Sequence, residues 1–159
     1  MDFKEKNLEL LDYYSHLYKK NPRSKYFVPL AEVHRSLDNL ETASEVLEKG
    51  LKWHPNYFIG RALLSQIYYQ RGHFTKAHIE SQKVLEHDKN NLTALRIAML
   101  SSAKLNKHEK AQSFAQAFLK HCPEDKEALY FLAEKSVPEY KLSFKKVTLL
   151  KNLLQKIQK

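Results

Sequence analysis

Alanines at positions 43, 77 and 111 stand 34 residues apart, and this period constrains the chain more than any other feature. Leu30, Leu64, Ala98 and Leu132 keep the same step, as do Leu51, Leu85, Leu119 and Leu153. Pro55 and Pro123 lie two steps apart, with Lys89 midway. A fixed period of this size means one supersecondary unit built again and again. The clearest copy runs from Phe58 to Asn91 and reads as two short amphipathic helices. Ile59, Leu63, Leu64, Ile67 and Tyr68 recur at helical spacing in the first, and Phe74, Ala77, Ser81, Val84 and Leu85 in the second. Gly72 sits where the first helix must stop and the chain reverse, a place suited to positive φ. Neither helix can bury its apolar face alone, so the copies must stack.

The step of 34, with Leu64-Ser65-x-x-Tyr68 followed by Ala77, resembles the tetratricopeptide repeat (TPR). The resemblance covers roughly residues 24–135 in register. It implies an all-α fold, an α-solenoid of antiparallel helix pairs wound into a right-handed superhelix, with eight or nine helices and almost no strand. Within one domain over 1–159, the expected parts are an N-terminal capping helix (2–20), repeat one (24–57), repeat two (58–91) and repeat three (92–125), then a degenerate repeat with a C-terminal capping helix (126–157). Turns are expected at Asp38-Asn39, Gly72 and Asn106-Lys107, with Asp38-Asn39 also supplying a cap. Pro29 is tolerable only within the first turn of its helix, where its missing N–H has no intrahelical partner.

The two ends depart from the pattern. Leu10, Tyr14 and Leu17 match Ala43, Leu47 and Gly50 with a shift of one residue, like the second helix of a repeat that lacks its first. At the other end Pro138 interrupts, and 140–157 reads as a longer helix in which Lys145 stands where the alanines should. A lysine there fits a terminal element whose outer face meets water. That helix has five lysines, with a sixth at Lys159, and no acid follows Glu139, so contact with an anionic membrane or an acidic protein is a lesser possibility.

Composition excludes more than it identifies. The net charge is +9, from 27 basic and 18 acidic residues, but lysines alternate with glutamates through most of the chain. That pattern disfavours nucleic acid, whose signature would be a steep salt dependence. Cys122 is the only cysteine, which suits a reducing, cytoplasmic location. No run of about 20 apolar residues is present, and the N-terminus lacks the apolar stretch of a signal peptide. No two of the eight histidines are three or four apart, so no helix presents a ready metal pair; no metal or other cofactor is expected. Without a glycine-rich phosphate loop or a placed nucleophile, no enzyme is expected either.

Function is therefore sought on a surface. In TPR solenoids the first helices of successive repeats line a concave face. Here that face is expected to hold Val28, Glu32 and Arg35 from repeat one, and Ile59, Ala62, Leu63, Gln66 and Tyr69 from repeat two. Thr93, Arg96, Ile97, Leu100 and Lys104 follow from repeat three, then Tyr130 and Phe131. Leu63 and Ile97 could equally belong to the core, because repeat helices are often apolar on two faces. Some TPR proteins clamp the C-terminal carboxylate of chaperones with lysine and asparagine. The corresponding positions are Val28, Glu32 and Leu63, so that clamp is absent. The expectation is an adaptor or scaffold that binds a protein partner, through an amphipathic or partly acidic segment, as a monomer and with no small-molecule substrate. Arg96 would meet a carboxylate, while Tyr69 and Phe131 would be large anchors. The rival expectation is a secretion-type chaperone using the same groove.

Overall fold

Apolar residues three and four apart wind the chain into helices that pair in sequence order. The computed structural model describes residues 3–133 and contains α1 (Phe3–Lys20), α2 (Phe27–Ser36), α3 (Leu40–Trp53), α4 (Phe58–Gln70), α5 (Phe74–His87), α6 (Leu92–Lys104), α7 (His108–Leu119) and α8 (Lys126–Ala133). No strand occurs among the described residues. Helices α2 and α3, α4 and α5, and α6 and α7 form the pairs; α3 meets α4, α5 meets α6, and α7 meets α8. The first helices also lie side by side, α2 against α4 and α4 against α6. The helix expected over 140–157, with its lysine at 145, lies outside the described residues.

The alanine positions of the 34-residue step are deeply buried. Ala43, Ala77 and Ala111 are all buried, as are Leu30, Leu64 and Ala98. A methyl group lets two helix backbones approach closely; a longer side chain would hold them apart. Serines reinforce this close packing. Ser65, Ser81 and Ser101 are fully buried, and each hydroxyl donates to a carbonyl one turn back in its own helix, so none of these hydroxyls is orphaned. Gly50 serves an inter-helix approach. A Cβ there would stand 2.1 Å from Cγ of Phe27, whose ring fills the space.

Each pair closes through one left-handed residue. Asp38, Gly72 and Asn106 have φ of 61°, 77° and 58°, and they are again 34 residues apart. The amide of the following residue donates to a carbonyl five residues back: Asn39 to His34, His73 to Tyr68, and Lys107 to Ser102. This satisfies helix carbonyls that would otherwise end without a partner. Asp and Asn tolerate the left-handed region better than other non-glycine residues, which is why glycine is needed in only one copy. Asn39 stands at the start of α3, but its side chain makes no capping bond, contrary to expectation. Side-chain caps occur instead at α6, where Asn91 accepts from the Ala94 amide at 3.1 Å, and at α8, where Asp125 accepts from the Ala128 amide at 2.9 Å. Pro29 falls in the first turn of α2, where an intrahelical donor is not required.

Candidate partner-binding groove

The side-by-side arrangement of α2, α4 and α6 opens a pocket of about 320 Å³ between their exposed flanks. Its lining is Val28 and Glu32 from α2, Ile59, Ala62, Leu63 and Gln66 from α4, and Asn91 and Thr93 at the start of α6. Leu63 and Ala62 form the floor, each nearly buried. Ile59 projects from the first turn of α4 and is 65% exposed, the largest exposure of any bulky apolar side chain among the described residues. Gln66 adds an amide at the edge. The structure thus brings Val28, Glu32, Ile59, Leu63 and Gln66 together.

The two arginines expected in this groove are already partnered. Arg35 donates to Glu32 through two nitrogens, at 3.0 and 2.5 Å, so the pocket's carboxylate meets a guanidinium of its own helix. Arg96 donates to Asp125 at 2.9 Å and to Glu127 at 2.6 Å, and its guanidinium lies over the Phe118 ring. The expected Arg96, free for a partner's carboxylate, is therefore corrected: it ties α6 to the start of α8. The bond from the Ala128 amide, reinforced by Arg96, holds the Asp125 carboxyl below its ordinary pKa against the opposing effect of burial.

The remaining expected residues divide by depth. Ile97 is buried in the same core as Leu63, and Leu100 packs beside Met99, Ala115 and Phe118. Phe131 is partly buried against that second core, and Tyr69 is half-buried with its ring 5.4 Å from Phe74. Burial, and Glu127 nearby, push the Tyr69 phenol above its ordinary pKa. Each ring thus packs partly on its own chain. Tyr130 is 56% exposed, and Lys104 is exposed. Asn91 was missed. An Asn immediately before an apolar-periodic run is a helix-start signal, and that signal would have found it.

Among the described residues, no three or more His, Cys, Asp or Glu side chains stand together as a metal site, and no helix is long and apolar enough to cross a membrane. No protein-family model matches the chain, and no curated protein sequence matches it. Solved structures do. The crystal structure of MamA is 15% identical, with 98% of this chain and 97% of that chain covered, at a TM-score of 0.74. YrrB, described as a TPR protein with an unusual peptide-binding site, is 17% identical over 74% of this chain and 61% of its own, at a TM-score of 0.68. The first TPR of Spaghetti (RPAP3), bound to the HSP90 peptide SRMEEVD, is 16% identical over 72% of this chain and 91% of its own, at 0.66. Helix pairs, period and these likenesses agree, and the chain has the fold of a tetratricopeptide-repeat solenoid.

Proposed function

We propose that the chain is a protein-interaction module, an adaptor, which takes an apolar or amphipathic segment of a partner protein between α2, α4 and α6. The observation that supports this best is Ile59: a large aliphatic side chain left exposed beside the buried floor of Leu63, in a pocket built by three successive first helices. A pocket of this kind takes an apolar anchor, and Gln66 and Asn91 add polar groups that can orient a backbone. Peptide binding in YrrB and in the RPAP3 domain supports the reading by likeness of fold. The segment differs from the RPAP3 ligand, however. Val28, Glu32 and Leu63 stand at the clamp positions and offer no cation to a terminal carboxylate, and Arg35 and Arg96 are held by carboxylates of this chain. The anchor is apolar, and acidity in the partner is secondary. A monomer in a reducing, cytoplasmic compartment, binding and not catalysing, completes the proposal.

The test is Ile59→Asp. Position 59 is in the first turn of α4, where a carboxylate suits the helix dipole, so the melting temperature should hold or rise slightly. Partners captured from the native host by the parent should be lost, with affinity falling at least tenfold because a charge replaces an apolar anchor. A peptide ending in the SRMEEVD sequence should bind neither protein. Partners retained equally by Ile59→Asp would overturn the groove assignment, and a concentration-independent dimer in sedimentation would overturn the monomer.

A further inference from the structure

Of the chain's five arginines, four are engaged by carboxylates of their own chain: Arg35 by Glu32, Arg61 by Glu80, Arg71 by Glu41, and Arg96 by Asp125 and Glu127. Arg23 is the exception. It meets no carboxylate among the described residues and instead lies over the ring of Trp53, 4.1 Å from its centroid. Beside it Lys25 lies 4.9 Å from the centroid of the Tyr57 ring. Two segments distant in sequence, 19–26 and 49–57, are thereby joined at one edge of the solenoid, where α1 and α3 end and α2 and α4 begin. A further tie runs from the His54 ring to the Arg23 carbonyl, with Nε2 at 2.6 Å.

This edge differs from the neighbouring turns in charge. Segments 19–26 and 49–57 hold Lys19, Lys20, Arg23, Lys25, Lys49 and Lys52 and no acidic residue. The next turns along the same edge are mixed, with Glu86 and Asp88 in one and Glu124, Asp125 and Glu127 in the other. Lys19, Lys20 and Lys52 fall in the last turns of α1 and α3, where they also complement the helix dipoles. Arg23 and Lys25 lie in a loop and have no such role. Among these cations Trp53 is 55% exposed and Tyr26 is 41% exposed.

We infer that this edge is a contact surface for an anionic lipid bilayer. Lys49 pairs with Glu45 of its own helix at 3.9 Å. Half-exposed Trp and Tyr among the remaining Lys and Arg have the chemistry that settles at lipid headgroups: rings at the interface, cations against the anionic surface. Each cation near such a surface strengthens binding roughly fivefold. Single-stranded nucleic acid is the less suited partner, because stacking needs a free ring face and Arg23 and Lys25 lie over faces of Trp53 and Tyr57. An acidic protein segment would answer the cations but not the half-exposed rings, which suit a headgroup interface. The apolar pocket runs inward from the first turns of α2, α4 and α6, beside this edge.

Trp53 is the only tryptophan in the chain, so its fluorescence reports on this edge. The full chain is mixed with vesicles of phosphatidylcholine, or of phosphatidylcholine with phosphatidylserine, then sedimented, with emission recorded in parallel. The expected result is sedimentation with the anionic vesicles only, a shift of Trp53 emission to shorter wavelength, and reversal of both at raised ionic strength. Arg23→Glu combined with Lys25→Glu should keep the parental helix content and melting temperature, abolish the shift and weaken sedimentation at least tenfold. Lys104→Glu with Lys107→Glu, at the opposite edge, should change neither, and Ile59→Asp should bind vesicles like the parent. Sedimentation without an emission shift would place the contact elsewhere and overturn the inference. So would a shift elicited by single-stranded RNA or polyglutamate but not by vesicles, or full binding by the Arg23, Lys25 variant.

Discussion

His78 is buried to 4% exposure on α5, facing Ser101 and Ser102 of α6 and edge-on to Phe114 of α7. Its Nε2 has no partner among the described residues. Burial lowers its pKa, and Lys107 and Lys110 lower it further. The imidazole therefore stays neutral in the fold after the unfolded chain has begun to take up protons. Stability should be constant above the ordinary histidine value of 6.5 and fall as pH drops from there through the depressed pKa. His78→Gln removes that titration. The loss of melting temperature between about pH 7.5 and about pH 5.5 should shrink in the variant, leaving a remainder from His34, whose pKa burial also lowers. An unchanged pH profile would mean that His78 is not the group that titrates. Two glycines give a second test at this scale. Gly50→Ala drives a methyl group into the Phe27 ring and should cost about 1–3 kcal/mol. Gly72→Ala meets open space and should cost only the left-handed backbone term, roughly 1–2 kcal/mol. Gly72→Asn should recover part of that term, since Asn106 holds the same conformation at the next step. Chemical denaturation separates the three.

At the level of helices, contacts one repeat apart decide how each element docks. Ala77 is fully buried where α5 packs on α4, so Ala77→Leu should cost about 1–3 kcal/mol by overpacking, measured as a lower midpoint in urea. Helix α8 is held differently. Its start is capped by Asp125, and Arg96 holds Asp125 and Glu127. From the sequence Arg96 faces open groove, and Arg96→Glu should leave stability unchanged. The ion pairs reverse that expectation. Arg96→Glu now sets three carboxylates together and should lower the melting temperature, while Asp125→Ala should cost about 1–2 kcal/mol through the lost cap. A parental melting temperature for Arg96→Glu would show the pairs to be dispensable.

Across the whole molecule, stability follows the stacking of repeats, since each helix pair touches mainly its neighbours. Helices α4 and α5 are flanked on both sides and are tied across repeats by Arg71 to Glu41 and by Tyr68 to Glu48. Amide exchange should therefore be slowest in α4 and α5 and faster in α1. Uniform protection along the chain would instead indicate a single cooperative unit.

The period of 34 determined the architecture without help from coordinates. Helical spacing fixes which side chains share a face, and an alanine every 34 residues fixes where two helices must meet. The turns at Asp38, Gly72 and Asn106 were legible for the same reason, because the demand for positive φ is local. Within the groove, legibility ended at contacts between helices. Spacing put Ile59 and Leu63 on one stripe, but only packing left the first exposed and buried the second. It gave Arg96 an outward direction but not its partners, which lie 29 and 31 residues further along the chain. Nor could it reveal that Arg23 finds Trp53 in place of a carboxylate. Periodicity is a property of one helix and is written in its own residues. The pairing of charges and the exposure of a side chain depend on what a neighbouring helix places opposite, and only the tertiary structure decides that.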